Sequence, residues 1–362
     1  MSQVQFSRGR PRAWCFGALA GAATISISAP AAALTIIPKF DASITALSNA
    51  GAVEAAFNTV AADYDSVFSN AVNINVDVSW GSVAGKALPG GAIGASSDNL
   101  YGYFTLAQIK SDLAASSARN PADTALATAV KSIPATIATG PSKFVLPSAE
   151  AKALGLVSGA STSIDGYIGF GGTTSGYSFN PLSVAAGTYD FEAVAAHELA
   201  EVLGRMGGVD STSPAWRSPF DLFRYSAPGV LDAGYNDAAY FSVNGGVTDL
   251  KAFNNSPSGG DRSDWLVKSG VHDVQDAFQN QGSRYTLSNV DLTALDVLGW
   301  GGGNAGDASL GNPTGQAFGL VLGPDAVPEP ASWALLILGF FGLGSTLRSG
   351  APQPRLRAAR RA

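Results

Sequence analysis

The spacing of apolar residues predicts one long helix and three strands in the first half of the chain. Residues 53–68, VEAAFNTVAADYDSVF, place apolar side chains at helical spacing. Residues 72–80, VNINVDVSW, alternate apolar and polar positions with period two, which predicts a half-buried strand. Residues 34–40 and 165–170 predict two further strands.

The second half of the chain has a weaker pattern. Residues 190–204, DFEAVAAHELAEVLG, predict a helix that Asp190 caps and Gly204 ends. Residues 287–300 predict a last helix, whereas Gly, Asn, Ser and Asp dominate 207–282 and predict long loops with a few short strands. This order of elements predicts an α+β fold with a twisted mixed sheet and a loop-rich C-terminal half.

The first 33 residues predict a signal peptide. Arg8, Arg10 and Arg12 precede an uncharged stretch, and small residues before Leu34 predict a signal-peptidase cut after Ala33. The single cysteine of the chain lies inside this segment. We therefore expect an exported bacterial protein whose mature form has no disulfide.

The composition predicts a folded, acidic body. The chain is 46% hydrophobic and 9% aromatic, which is ample for a core. Residues 34–326 hold 14 Lys and Arg against 27 Asp and Glu, a formal charge of −13. Because such a body repels phosphate backbones, we expect no nucleic-acid partner. We place one domain at 34–300 and a flexible Gly-rich linker at 301–326.

The C-terminal segment, residues 327–362, combines Pro328-Glu329-Pro330, an uncharged run over 331–347 and a basic end. As a helix the uncharged run spans about 25 Å, which predicts a transmembrane helix with its arginines in the cytoplasm. The segment resembles the PEP-CTERM sorting signal of Gram-negative bacteria. The resemblance implies an exosortase-type processing partner and transient anchoring in the inner membrane, before transfer to the cell surface or extracellular matrix.

Residues 195–205, AAHELAEVLGR, carry the candidate chemistry. His197 and Glu201 are four residues apart and share one face of a helix, so both can ligate one metal ion. Glu198 lies beside them and is a candidate general base toward water. Carboxylate oxygen is an ordinary zinc ligand, although fewer imidazoles make harder ions more competitive. We expect zinc, with the identity of the metal left open.

The alternative is an amphipathic helix whose glutamates, Glu192, Glu198 and Glu201, are exposed to solvent. Glutamate is a good helix former, and the short pattern also arises by chance. Apolar or small side chains fill most other positions of this helix. That composition favours a core helix with one polar face turned toward a site.

At these residues the body resembles the metzincin metalloproteases, whose motif is His-Glu-x-x-His-x-x-Gly-x-x-His. His197, Glu198 and Gly204 match this motif, whereas Glu201 stands in place of the second histidine and Gly207 in place of the third. The resemblance implies a metzincin-like catalytic domain with an active-site helix. It also implies an endopeptidase that acts on proteins or peptides through metal-activated water.

The third ligand and the family's methionine turn must then come from other residues. Neither methionine of the chain can form that turn in its usual form, and residues 221–226, DLFRYS, are the expected counterpart. Asp221 is the preferred third ligand, because the loop before it is long enough to fold back. Tyr225 is the expected stabiliser of the transition state.

Several alternatives stay open. Asp210 follows the helix more closely than Asp221, and His272 is the only other histidine. Residues 259–265, GGDRSDW, offer two aspartates that predict either a calcium site or a solvated turn. Two functions are compatible with the sequence: a surface-sorted zinc metallopeptidase, or a non-catalytic surface or matrix protein that retains the protease-like fold.

Overall fold

The computed structural model describes residues 33–138 and 140–301, so the predicted sorting segment and nearly all of the signal peptide and linker lie outside the described residues. The strands are β1 Thr35–Phe40, β2 Asn73–Trp80, β3 Ser82–Val83, β4 Lys86–Ala87, β5 Gly94–Asp98, β6 Leu100–Thr105, β7 Lys143–Pro147, β8 Gly166–Phe170, β9 Tyr177–Ser178, β10 Tyr189–Asp190, β11 Arg224–Ala227, β12 Val230–Leu231, β13 Tyr240–Phe241 and β14 Lys251–Ala252. The helices are α1 Ala42–Thr45, α2 Ala50–Val67, α3 Leu106–Arg119, α4 Thr124–Ser132, α5 Ser148–Ala153, α6 Phe191–Val202 and α7 Asn289–Asp296.

The central sheet has four strands in the order β1-β2-β8-β5. β1, β2 and β8 run parallel, and β5 joins β8 antiparallel at the edge. Apolar side chains of β2 are buried, as the period-two pattern predicts. The mixed sheet and the α+β class are therefore confirmed.

Helices α2 and α6 pack against this sheet and against each other. The Tyr64 hydroxyl of α2 donates a hydrogen bond of 2.9 Å to the Ala196 carbonyl of α6. The Phe191 ring at the start of α6 lies 4.5 Å from the Phe170 ring of β8. Trp300 closes the other end of α6, because its indole nitrogen donates to the Leu203 carbonyl at 2.7 Å. These contacts place α6 in the centre of the core.

The C-terminal half consists of long loops around a small sheet of order β12-β11-β13-β14, as the sequence predicts. Its interior is aromatic: Phe253 lies 5.1 Å and Phe241 lies 5.8 Å from the Trp265 ring. This aromatic packing holds the loop that follows β14 in position beside α6. Among the described residues, no helix is long and apolar enough to cross a membrane.

A buried carboxyl pair joins α7 to the start of α4. Asp123 caps α4 by accepting a hydrogen bond from the Leu126 amide, and Asp296 lies at the end of α7 with no exposed surface. Burial, the charge of Asp123 and a hydrogen bond to Asp123 raise the pKa of Asp296 to about 9. The pair therefore keeps a proton at neutral pH.

Replacing Asp296 with Asn should flatten the dependence of stability on pH. Folding raises the pKa of Asp296 from 3.8 to about 9, so the stability that this group contributes is full below about pH 4 and is lost as pH rises toward 9. The loss amounts to about 1.4 kcal/mol per pH unit within that window. Urea denaturation at pH 5, 6.5 and 8 measures it, and Asp249→Asn, an exposed change, is the control. An unchanged pH slope in Asp296→Asn would contradict the prediction.

Candidate metal centre

Helix α6 carries the candidate residues in a buried setting. Asp190 caps the helix through the Ala193 amide, and Gly204 ends it in a left-handed conformation, as the sequence predicts. The alternative of an exposed, amphipathic helix is wrong, because Glu192 is 5% and Glu198 is 6% exposed. A carboxylate is costly to bury without a partner, so each of these groups requires a charge or a proton to balance it.

Three side chains converge beside α6. The Nε2 atom of His197 lies 3.7 Å from Glu201 Oε1 and 3.6 Å from Asp264 Oδ1. One potential ligand atom from each residue falls within 4.8 Å of the others. Nitrogen and carboxylate oxygen atoms at this spacing could hold a metal ion.

The tautomer of His197 suits a metal ligand. Its Nδ1 atom lies 2.9 Å from the Val274 carbonyl oxygen, which can only accept a hydrogen bond. Nδ1 therefore carries the proton, and in the neutral ring the lone pair of Nε2 points toward the two carboxylates. A backbone carbonyl that fixes the ring in this way is the usual partner of a metal-binding histidine.

The carboxylates of Glu201 and Asp264 are also each held by a hydrogen-bond donor of the protein. The Ser96 hydroxyl of β5 donates to Glu201 Oε2 at 2.6 Å, which leaves Glu201 Oε1 directed at His197. Arg205 donates to Asp264 Oδ1 at 3.2 Å and stacks on the Trp265 ring, with its guanidinium carbon 4.4 Å from the ring centroid. Each ligand candidate thus has one partner that fixes its orientation.

Asp210 holds the loop that carries Asp264. Its carboxylate accepts hydrogen bonds from the backbone amides of Arg262 and Ser263 and from the Ser263 hydroxyl. It also accepts one from the Gly207 amide, just after α6. Asp210 thereby ties the end of the helix to the distant loop, and it acts on the cluster through position rather than as a ligand.

Glu198 faces a cleft of about 600 Å³ beside the cluster. Its carboxylate makes no hydrogen bond to any other described residue. Gly94 of β5 allows this position, because a Cβ atom there would come within 2.4 Å of Glu198 Oε1. The edge strand therefore lies directly against the predicted general base.

The electrostatics of the cluster reflect crowded negative charge. Burial and the charge of Glu201 raise the pKa of Glu198 well above its usual value. Burial raises the pKa of Asp264 to about 6, although His197 and Arg205 oppose the shift. Burial lowers the pKa of His197, but Asp264 and Glu201 outweigh burial and raise it well above the usual value. A divalent cation would relieve this crowding, and so the donor set fits a metal.

The structure does not bring Asp221 to the cluster; the third member of the cluster is Asp264. Asp221 Oδ2 accepts hydrogen bonds from the Gly208 amide at 2.9 Å and the Ser218 amide at 2.8 Å. Both amides belong to the loop after α6, so Asp221 stabilises that loop. The assignment of Asp221 as third ligand is corrected for this reason.

Tyr225 is also absent from the cleft. It lies on β11, is 2% exposed, and its ring packs beside Gly246, where a Cβ atom would come within 2.9 Å of it. The role of transition-state stabiliser therefore does not fit Tyr225. Tyr189 and Gln279 do line the cleft and offer hydrogen-bond donors there.

The structure also locates the other candidates, which are His272 and the two aspartates of residues 259–265. The His272 ring lies 4.9 Å from the Tyr285 ring and does not belong to the cluster. Asp261 and Asp264 both belong to the GGDRSDW loop, but only Asp264 converges on His197. The signal for Asp264 was present in the sequence as two aspartates in a Gly-rich loop, yet nothing there indicated which helix the loop would meet. A calcium ion in this loop stays a prediction.

Comparison with models of known protein families, with curated proteins and with solved structures finds no match for this chain. The geometry of the cluster and cleft is therefore the basis for the functional proposal.

Metal binding should depend on Asp264 and not on Asp221. Asp264→Asn removes a charged ligand atom, and we expect zinc affinity to fall at least ~10-fold. Asp221→Asn should retain about one equivalent of zinc, because its carboxylate contacts only backbone amides nearby. Mass spectrometry of the full-length protein measures metal content, with a thermal melt to show that each variant is folded. Zinc lost in Asp221→Asn and kept in Asp264→Asn would reverse the assignment.

Proposed function

We propose that this protein is an exported, metal-dependent endopeptidase. The observation that carries the proposal is the convergence of His197, Glu201 and Asp264 beside a cleft that the unpaired carboxylate of Glu198 faces. Two roles are thereby separated on one helix. His197 and Glu201 hold the metal together with Asp264, and Glu198 stays free to move a proton.

His197, Glu201 and Asp264 would hold the zinc ion, which would supply Lewis acidity toward water and toward a peptide carbonyl. Glu198 accepts the proton of the attacking water and delivers it to the leaving amine. Tyr189 or Gln279 is positioned along the same cleft to donate a hydrogen bond to the substrate.

The edge strand supports a polypeptide as the substrate. β5 is the terminal strand of the central sheet, and its residues Gly94, Ala95 and Ser96 line the cleft. An extended peptide can add to such an edge through main-chain hydrogen bonds. This mode of binding places a peptide backbone beside Glu198, as an endopeptidase requires.

A metzincin-like fold is part of the proposal. The mixed sheet with an antiparallel edge strand, and the helix bearing His-Glu-x-x-Glu beneath it, support that relation. The departure lies in the third ligand, which comes from the loop before Trp265 instead of the turn after the helix.

Glu198→Gln should abolish peptide hydrolysis while zinc remains bound. The amide keeps the shape of the side chain but cannot accept the proton, so we expect kcat to fall at least ~10²-fold. Cleavage of a mixed peptide library by the zinc-loaded full-length protein is the assay, and Glu54→Gln, remote from the cleft on α2, is the matched control. Undiminished hydrolysis in Glu198→Gln would refute the role of this residue.

A non-catalytic surface protein is the second candidate, and one observation favours it. The guanidinium of Arg205 donates to the same Asp264 oxygen that faces His197. This ion pair satisfies part of the ligand set with protein atoms alone and weakens the carboxylate as a metal donor. A zinc-free protein under metal-replete conditions would support this candidate over the enzyme.

Export and surface sorting belong to the same proposal, and they rest on residues 1–33 and 327–362. We expect the mature N-terminus at Leu34 after signal-peptidase cleavage. Edman sequencing of protein recovered from a Gram-negative host's envelope tests this point. A chain that still begins at Met1 would contradict export by this route.

A further inference from the structure

Acidic residues line the cleft beside the cluster, and they include residues that are not candidate metal ligands. Five carboxyl groups line it, namely those of Glu198, Glu201, Asp261, Asp264 and Asp276. No lysine or arginine lines it among the described residues. Two of the five, Glu201 and Asp264, bind the metal in the proposed function, and the carboxyl groups of Glu198, Asp261 and Asp276 have no basic side chain beside them in the lining of the cleft.

The cations near the cleft already have partners, and Arg205 donates to Asp264 Oδ1 at 3.2 Å. Arg262 follows Asp261 in the chain, but it donates to the Ser256 and Gly259 carbonyls and stacks on Tyr235 at 4.3 Å. Lys251, on β14, pairs with Asp273. Neither side chain can neutralise the cleft without breaking these contacts, so the negative charge remains available to a ligand.

Asp261 is the group best placed to meet a ligand. It is exposed at the cleft, between glycines of positive φ and the metal-binding Asp264, and no hydrogen bond ties its carboxylate to another described residue. The unpaired, buried carboxylate of Glu198 points into the same space. The Phe278 ring, 41% exposed, adds an apolar surface suited to an aliphatic stem.

We infer that the substrates are polypeptides with a lysine or arginine close to the scissile bond, and that Asp261 binds that cation. This inference rests on the proposed endopeptidase function. A cleft of one charge with low-dielectric walls concentrates ligands of opposite charge and raises their association rate. A long basic side chain also places its methylene groups against Phe278 while its charge reaches Asp261.

Paired peptides that differ only in charge test the inference. One carries lysine near the cleavage site, and the other carries acetyl-lysine at the same position, which keeps the length and removes the charge. The zinc-loaded full-length protein should cleave the lysine peptide with a kcat/KM about 10-fold higher at pH 8 and low salt. That pH lies above the pKa of about 7 to which partial desolvation in the cleft and neighbouring carboxylates raise Asp261, and above the pKa of about 7 to which burial raises Asp276.

Asp261→Asn should reduce this preference to about 3-fold or less. Asp249→Asn removes the same charge from an exposed position outside the cleft and should keep the full preference. Equal cleavage of both peptides by the unaltered protein, or an unchanged preference in Asp261→Asn, would overturn the inference and leave the endopeptidase proposal intact.

Binding separates this failure from a failure of the proposed function. The zinc-loaded Glu198→Gln variant should bind the lysine peptide about 10-fold more tightly than the acetyl-lysine peptide in a fluorescence titration. If the unaltered protein cleaves neither peptide and Glu198→Gln shows this preference, the endopeptidase proposal fails and the acidic recognition site stands. If neither peptide is cleaved and both bind equally, the inference fails as well.

Discussion

The structure depends on the burial of α6, a helix whose apolar and small side chains carry three glutamates into the core. Glu192 and Glu198 are nearly inaccessible to solvent, and Glu201 is 13% exposed. Carboxylates in low dielectric repel each other strongly, and Arg205, which pairs with Asp264, balances one charge at most. Replacing a cluster of buried carboxylates with apolar side chains would increase the stability of the fold. The presence of this cluster therefore argues for a bound ligand that offsets the free energy of burying its charges. A divalent cation is the ligand whose chemistry matches the donor atoms.

The cluster is assembled from three separate parts of the chain, which explains why each part has its own support. Ser96 comes from the edge strand, His197 and Glu201 from α6, and Asp264 from a loop more than sixty residues later. Long loops lose much entropy when they are ordered, and the loop of Asp264 is ordered by aromatic packing around Trp265 and by the hydrogen bonds of Asp210. The aromatic interior of the C-terminal half therefore serves the site, even though its residues touch no ligand atom.

The sequence predicted the regular elements around α6 well, because their signals are local. The helix at 190–204 has a capping aspartate and a terminating glycine, and α6 follows both. No helix or strand was predicted for residues 81–164, yet they contain β5. The Gly94–Asp98 sequence of this strand consists of small and polar residues and resembles a loop. Its strand structure comes from pairing with β8, which no local pattern reveals. For the same reason His197, Glu198 and Glu201 were found from spacing alone, whereas Asp264 required tertiary structure.

The preference for Asp221 as third ligand, over Asp210 and His272, failed for a physical reason. In the metzincin motif the chain turns at a glycine after the helix and immediately returns a third ligand. Here Gly207 occupies that place, and its amide donates to Asp210. Asp210 in turn accepts hydrogen bonds from amides of the 259–265 loop. The segment after α6, where the motif has its third ligand, therefore positions the loop that carries Asp264. Asp221 performs a similar task for the Gly208 and Ser218 amides. Backbone amides thus hold both aspartates within the loops after α6, and it is Asp264, delivered by the distant loop, whose Oδ1 atom faces His197.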